Sequence, residues 1–403
     1  MFIKRDLSGL LRQSVAGAQI LLGPRQCGKS TLFASLYQDR EDYTSITFDD
    51  LALRTLANRD PALFLQQFKP PLLLDEVQYV PNLFLEIKKH IDQLKQDTVF
   101  QSSQHSHKTL YRLTGSNQIL MDKNIKESLA GRASYYYLNT LTVHEILNAL
   151  PDISLNDILF KGGWPELYTN QALSPVVYLN DYIRSYVEKD IVISAGIEKL
   201  SEFHTVLGLL AARTGQLIDY TNIANDSGVR SPTIKGWIGL LERANLVCVL
   251  KPYFTNLNQR LIKTPKIYFL DTGLAVRLQG WSDSAPLLTS LQIGSLFETL
   301  VFAEIVKFIQ SYQKDWQIFF WRTKEGEEID FVLQTDQHTL HAFEVKRAIH
   351  GISNPISYPK SFQACCAPKV PLVVVTFGGQ SLKLSDQCLV LPIARLHDYL
   401  KTL

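Results

Sequence analysis

The chain has 403 residues, 46% of them hydrophobic and 20% charged, with a formal net charge of +2. That length predicts two to four domains with substantial buried cores, and the composition excludes a disordered or fibrous protein. The charge balance gives no global argument for a polyanionic partner. The five scattered cysteines (Cys27, Cys248, Cys365, Cys366, Cys388) form neither a disulfide framework nor a zinc pattern. No apolar run reaches the length of a membrane span, and the opening Met1-Phe2-Ile3-Lys4-Arg5-Asp6 lacks a signal-peptide core. The expectation is a cytoplasmic protein with no membrane partner.

The first predicted strand is Ala18–Leu22. It runs into Gly23-Pro24-Arg25-Gln26-Cys27-Gly28-Lys29-Ser30, which fits the phosphate-loop pattern G-x-x-x-x-G-K-[ST], and Thr31 opens a helix. The two glycines let consecutive N–H groups face phosphates, and the helix N-terminus adds its positive end. Lys29 is predicted to reach the β- and γ-phosphates of ATP, and the Ser30 hydroxyl to ligate Mg²⁺. Cys27 reads either as a tolerated small residue or as a thiol whose oxidation would block the loop. The run Pro71-Leu72-Leu73-Leu74-Asp75-Glu76 reads as a buried parallel strand ending in two acids. Asp75 is the candidate for the Mg²⁺ shell and Glu76 for the general base on the attacking water. Gln101 to Lys108 reads as an exposed loop. A third strand, Thr109–Thr114, ends in Gly115-Ser116-Asn117. Either Asn117 or Ser116 is the candidate γ-phosphate sensor, the alternative being a simple turn. In an open parallel sheet these strand ends meet at one crevice.

These motifs, followed by Leu129-Ala130-Gly131-Arg132 and by Leu138 to Glu145, resemble a large group of prokaryotic AAA-type ATPases that carry a C-terminal domain of uncharacterised function. Thr142 departs from the proline frequent there. Gly162-Gly163-Trp164-Pro165 resembles an element near the nucleotide base in the archaeal and STAND-like clade, which makes Pro165 a nucleotide-contact candidate. Glu188-Lys189-Asp190-Ile191 and Tyr268 to Leu274 resemble further motifs of the group. The resemblance spans nearly the whole chain and implies ATP hydrolysis, with Arg132 as finger or sensor in its own subunit or a neighbour's. The plainer alternative for Arg132 is a surface salt bridge.

Residues 157–208 have helical spacing and predict a helical lid and connector. Leu217–Ala224 reads as the first helix of a helix-turn-helix, Gly228-Val229 as its turn, and Ser231 as the cap of a second helix with Pro232 at its first position. Val247–Leu250 follows as a wing strand. Four basic against three acidic residues make a weak footprint for phosphates, so this winged helix reads as a DNA reader through Arg230 and Lys235 or as a protein-docking module.

In the last third, Glu298 lies on a helix, Asp330 on a strand and Glu344-Val345-Lys346 on another. Glu344 and Lys346 share a strand face because the side-chain period is two. The order resembles the PD-(D/E)xK nuclease superfamily. It implies a second Mg²⁺ or Mn²⁺ held by Asp330, Glu344 and the Val345 carbonyl, with Lys346 beside a scissile phosphate and Glu298 in support. Gln363 is a weaker candidate.

The fold expected is α/β and multidomain: a P-loop parallel-sheet ATPase core (1–150), a helical lid and connector (151–208), a winged helix (209–285) and a restriction-endonuclease-like α/β domain (286–403). The function expected is a Mg²⁺-dependent ATPase whose nucleotide state controls a nuclease-like domain that binds DNA or RNA. The alternative is a nucleotide-dependent switch or scaffold with a protein partner and an inactive C-terminal domain. Either form is compatible with an oligomer.

Overall fold

Five parallel strands carry the phosphate loop: β1 (Ala18–Leu22), β2 (Thr44–Thr47), β3 (Leu72–Asp75), β4 (Tyr111–Gly115) and β5 (Ala133–Tyr137), in the order β2-β3-β4-β1-β5. This is a computed structural model, describing residues 1–37, 43–100, 109–115, 129–191, 196–253, 263–348, 357–366 and 370–403. The period of two sorts the apolar residues to the two sheet faces. Ala18, Ile20, Leu22, Leu72, Leu74, Tyr111 and Leu113 enter one core, while Leu21, Leu73 and Tyr136 enter another with Leu32 and Phe33. Both faces are covered, so the strands read as continuous apolar runs. Leu22 pairs with Gly115 on one side and Tyr137 on the other, which aligns the C-terminal ends of β1, β4 and β5 on one edge.

This sheet belongs to a compact unit spanning Lys4–Asn139; the second unit comprises Met1–Ile3 and Thr140–Leu403. Residues 140–150, grouped with the ATPase core in the sequence reading, pack in the second unit, where Leu141, Val143 and Ile146 join its core. Thr142 has a local reason: its hydroxyl accepts from Glu145 N and Glu145 returns to Thr142 N, a capping box on the helix Val143–Ala149.

In the second unit the helices Leu155–Lys161, Glu166–Thr169 and Pro175–Tyr182, a π-helix over Ile183–Ile191, and the helix Leu200–Ala212 come first. The side chains of Glu188, Lys189 and Asp190 lie outside what is described. A helix pair, Tyr220–Ser227 and Ser231–Arg243, turns at Gly228 in the left-handed region. The sequence expectation of a Ser231 cap is corrected: Arg230 is the cap residue, and Ser231 lies inside the helix with its hydroxyl donating to Tyr220 O. The first helix also starts at Tyr220, capped by Asp219, because Gln216–Leu217 forms a strand (β6). With β7 (Val247–Leu250) and β8 (Lys266–Phe269), β6 makes an antiparallel sheet of order β6-β8-β7.

The last sheet is mixed and six-stranded: β9 (Gln317–Arg322), β10 (Glu328–Gln334), β11 (Leu340–Lys346), β12 (Leu372–Thr376), β13 (Leu382–Ser385) and β14 (Cys388–Pro392), ordered β13-β14-β12-β11-β10-β9. The 19-residue helix Ile293–Ser311 packs beneath it. One apolar core joins this sheet to the helix pair and to the helices before it, so the three C-terminal segments of the sequence reading share a core. A polar pin adds to it. Asp271 caps the helix Thr272–Leu278 through Leu274 N at 3.1 Å and accepts from Gly163 N at 2.8 Å. Gly162 has φ +72°, and a Cβ there would sit 2.0 Å from Asp271 Oδ1, so the Gly-Gly-Trp-Pro and Leu-Asp-Thr-Gly motifs pack against each other.

Candidate functional site

The phosphate loop closes between β1 and the helix Lys29–Ser35, with Gly28 (φ +93°) as the N-cap. Its shape depends on close contact with the segment after β5. A Cβ on Gly23 would lie 2.0 Å from Leu138 O, Cys27 Sγ is 3.3 Å from that same carbonyl, and Cys27 is fully buried. The buried Arg5 ties loop to segment, donating to Cys27 O at 2.8 Å and Asn139 O at 2.7 Å. The burial of Cys27 makes it a packing residue. Arg25 is half-buried, Gln26 is exposed with φ +61°, and Thr31 is exposed on the first helical turn. The Lys29 ammonium folds over the loop and donates to the carbonyls of Gly23 (3.0 Å) and Pro24 (2.8 Å).

At the neighbouring strand end, Asp75 Oδ1 accepts from Ser30 Oγ at 2.8 Å and from the Thr114 hydroxyl. A hydroxyl and a carboxylate joined at a strand end fit Mg²⁺, which takes one or two protein oxygens and leaves the rest to phosphate and water. Glu76 follows in the left-handed region, φ +57°, uncommon for a residue with a side chain. Its carboxylate accepts from Gln78 Nε2, and its N–H meets Thr114 Oγ1 at 3.4 Å. The sequence reading missed Thr114 and Gln78; a hydroxyl one residue before the β4 terminus was the available signal. Ser116 and Asn117 lie outside the described residues.

Arg132 is corrected as a sensor within its own subunit. It precedes β5, and its carbonyl accepts from Ala18 N at the start of β1, whereas the phosphate loop follows the other end of β1. Five residues of strand, roughly 16 Å, separate the two edges. The guanidinium makes a bidentate pair with Asp92 at 2.6 and 2.8 Å. Pro165 belongs to the second unit, where its carbonyl accepts from Tyr168 N and Thr169 N.

Residues 16–147 match the AAA domain family, 152–285 a domain of unknown function (DUF8612) and 293–396 a second one (DUF4143). The Lys4–Asn139 unit therefore holds an AAA-type, P-loop ATPase-like domain. The full chain is similar to uncharacterised proteins: Rv2008c of Mycobacterium tuberculosis and Mb2031c of Mycobacterium bovis are each 26% identical over 394 residues, covering 96% of this chain and 83% of theirs. A Haemophilus influenzae protein is 24% identical over 367 residues, covering 83% of this chain and 85% of its own. Among solved structures, the Walker-type ATPase PABY2304 of Pyrococcus abyssi aligns at TM-score 0.39 and 16% identity, covering 69% of this chain and 96% of that one. The Aeropyrum pernix ORC2 protein in its ADP form aligns at 0.28 and 12%, covering 62% and 87%. No helix among the described residues is long and apolar enough to cross a membrane.

The second candidate site lies between β10 and β11. Phe331 faces Phe343, so the next position along the ladder sets Asp330 across from Glu344. Asp330 Oδ2 accepts from Val345 N at 2.7 Å, and Glu344 pairs with Lys346 at 3.1 Å. Burial, then the charges of Glu344 and Glu298, hold the Asp330 carboxyl well above the usual range. Burial also raises Glu344, against the pull of Lys346. Two crowded carboxylates fit a divalent cation. Glu298 does not complete the set: among the described residues, Glu298, Asp330 and Glu344 do not bring one oxygen each within 4.8 Å of one another. Instead Glu298 Oε1 accepts from Tyr268 OH at 2.5 Å and pairs with Lys266 at 3.1 Å. Lys266, almost fully buried, also pairs with Glu328 at 2.7 Å, and Arg322 reaches Glu328 at 3.3 Å. β10 and β11 are interior strands of the six-stranded sheet. Gln363 is exposed, and its amide donates to Tyr358 O on its own turn.

Arg230 and Lys235 are both exposed on the helix pair, and the Lys235 ammonium lies 4.9 Å from the Tyr220 ring centroid.

Proposed function

We propose that this chain is a Mg²⁺-dependent ATPase whose nucleotide state controls a nuclease-like region that binds nucleic acid. The observation that supports it most directly is the Ser30–Asp75 pair at 2.8 Å beside the Lys29 loop. Phosphate oxygens of ATP would replace the Gly23 and Pro24 carbonyls as acceptors for Lys29, and the loop N–H groups and helix N-terminus would take up further negative charge. Ser30 and Asp75 would hold Mg²⁺, which when bound neutralises charge between the β- and γ-phosphates. Glu76 would take a proton from the water that attacks the γ-phosphorus, as the bond to the ADP oxygen breaks. Thr114 keeps Asp75 aligned, and Gln78 parks the Glu76 carboxylate until a water competes for it. ATP turnover by wild type, Lys29→Ala and Glu76→Gln protein tests this reading. Equal turnover in all three would sink it.

The helix pair with its antiparallel sheet is read as a winged helix, with Arg230 and Lys235 for phosphate contacts. The β10–β11 site is read as a PD-(D/E)xK-like centre in which Asp330 and Glu344 would hold Mg²⁺ or Mn²⁺, with Lys346 facing a phosphate. Incubation with plasmid and oligonucleotides, with and without Mn²⁺ and ATP, tests this: cleavage lost in Asp330→Ala supports it. The second reading, a nucleotide-dependent scaffold for a protein partner, is favoured by one observation. Glu344 of that centre, and Glu298 and Glu328 beside it, already pair with lysines of the chain's own. An absence of metal-dependent cleavage, with ATP turnover intact, would put the scaffold first.

A further inference from the structure

Lys266 was not singled out by any motif, yet it has a demanding position. Its side chain is 4% exposed and comes from β8, the central strand of the antiparallel sheet next to the helix pair, while its partners come from elsewhere: Glu298 from the long helix and Glu328 from β10. Burying an ammonium is costly unless carboxylates surround it. Burial alone lowers Lys266, and Glu298 and Glu328, with Asp330 behind them, more than reverse this, so it stays charged. Tyr268, also on β8, donates to the same Glu298 oxygen that Lys266 grips. Two groups of one strand thus hold the one acid that a three-carboxylate cation site would need.

We propose that Lys266 is the resident cation of this centre: it reserves Glu298 and Glu328, so that a divalent ion is left with Asp330 and Glu344 and binds weakly. This rests on the reading of Asp330 and Glu344 as a cation site and adds its regulation. Cation affinity is set by a lysine on the winged-helix strand, and displacement of β8 would release Glu298 as a third ligand. A buried charge pair that served stability alone would be indifferent to divalent ions.

The test is Mn²⁺ binding to nucleotide-free full-length protein, followed by the loss of the free-Mn²⁺ electron paramagnetic resonance signal. The phosphate-loop site is the same in every variant and drops out of the comparison. Lys266→Met keeps the stem and removes the charge. It should bind Mn²⁺ about tenfold or more tighter than wild type, because affinity for a hard cation rises with the number of carboxylate ligands. Adding Glu298→Gln to it should return the affinity to the wild-type level, and Lys266→Arg should leave it there. Should Lys266→Met not fold, Glu298→Gln alone still decides: the proposal expects unchanged Mn²⁺ affinity, and a tenfold loss would overturn it. A folded Lys266→Met protein that binds no tighter than wild type, while Asp330→Asn loses Mn²⁺ binding relative to wild type, overturns the role of Lys266 and leaves the cation site standing. Asp330→Asn indistinguishable from wild type and from Lys266→Met overturns the cation site itself, and the proposal with it.

Discussion

The nucleotide crevice and the β10–β11 centre both gather acids and a lysine at strand ends, but they balance charge in opposite ways. In the crevice, among the described residues, Asp75 accepts from the hydroxyls of Ser30 and Thr114, and Lys29 donates to the neutral carbonyls of Gly23 and Pro24. These contacts set neither group against an opposite charge, so groups that arrive with a ligand can take their place. In the β10–β11 centre Glu298, Glu328 and Glu344 are already paired with Lys266, Arg322 or Lys346. Charge left unmatched within a polar, preorganised site is available for binding and chemistry. Charge matched internally holds strands and helices together, and an arriving ion must compete for it.

The largest effect that sharpens this contrast is expected at Glu76. Glu76→Gln keeps size and the Gln78 contact but removes the base. ATP should still bind, and turnover should fall by ~10²-fold or more. Turnover at the wild-type rate would show that the left-handed Glu76 has another task. Next comes Lys29→Ala. If Lys29 is held for phosphate, its loss should weaken ATP binding by about 10- to 100-fold, the scale of charge-assisted hydrogen bonds. Equal affinity by calorimetry would mean that the ammonium serves the loop carbonyls alone.

The contrast also explains what could be read from the sequence. The crevice is built by contiguous segments, and the phosphate loop imposes its residue types one after another, so Gly23 to Ser30, Asp75 and Glu76 stood out. The parallel sheet and its strands β1, β3 and β4 followed from them, whereas β2 and β5, which carry no motif, did not. Thr114 and Gln78 were harder to see, because a hydroxyl or amide near a strand end has no spacing signature. The second centre draws on β8, β10, β11 and the helix Ile293–Ser311. Asp330, Glu344 and Lys346 were visible through their resemblance to the PD-(D/E)xK order, and strand alternation put Glu344 and Lys346 on one face. Lys266 and Glu328 were not, since nothing local predicts which lysine is drawn into a core by acids 32 and 62 positions away. The position of Arg132 was hidden for a related reason: a motif gives its neighbours in the chain, not which edge of the sheet it occupies.

Arg132 provides a smaller test. With its guanidinium committed to Asp92 at the sheet edge away from the loop, Arg132→Ala should leave ATP turnover per chain unchanged. Mixing Arg132→Ala with Lys29→Ala protein should then restore nothing. Recovery of activity in confirmed mixed oligomers would instead assign Arg132 to a neighbour's crevice, and the Asp92 pair would be a resting position.

The smallest effect concerns a third way of handling charge, its exclusion. His144 and His397 stack with ring centroids 3.8 Å apart and planes within 4°, and Tyr312 OH meets His397 Nε2 at 3.2 Å. Burial, then His144 and Lys401, push His397 down to about 3, and burial lowers His144 too. The sign follows from linkage. As pH falls below the ordinary histidine value near 6.5, the unfolded chain takes up a proton that the folded stack refuses until about 3. Folded stability is therefore lost progressively through that window, and is complete above it. His397→Phe keeps a ring on His144 and gives up the Tyr312 contact, at a cost of about 1 kcal/mol at every pH. Between pH 7 and pH 5 its melting temperature should fall less than that of wild type. Parallel pH profiles would mean that the stacked pair takes a proton without strain, and that the acid sensitivity of this unit resides in other groups.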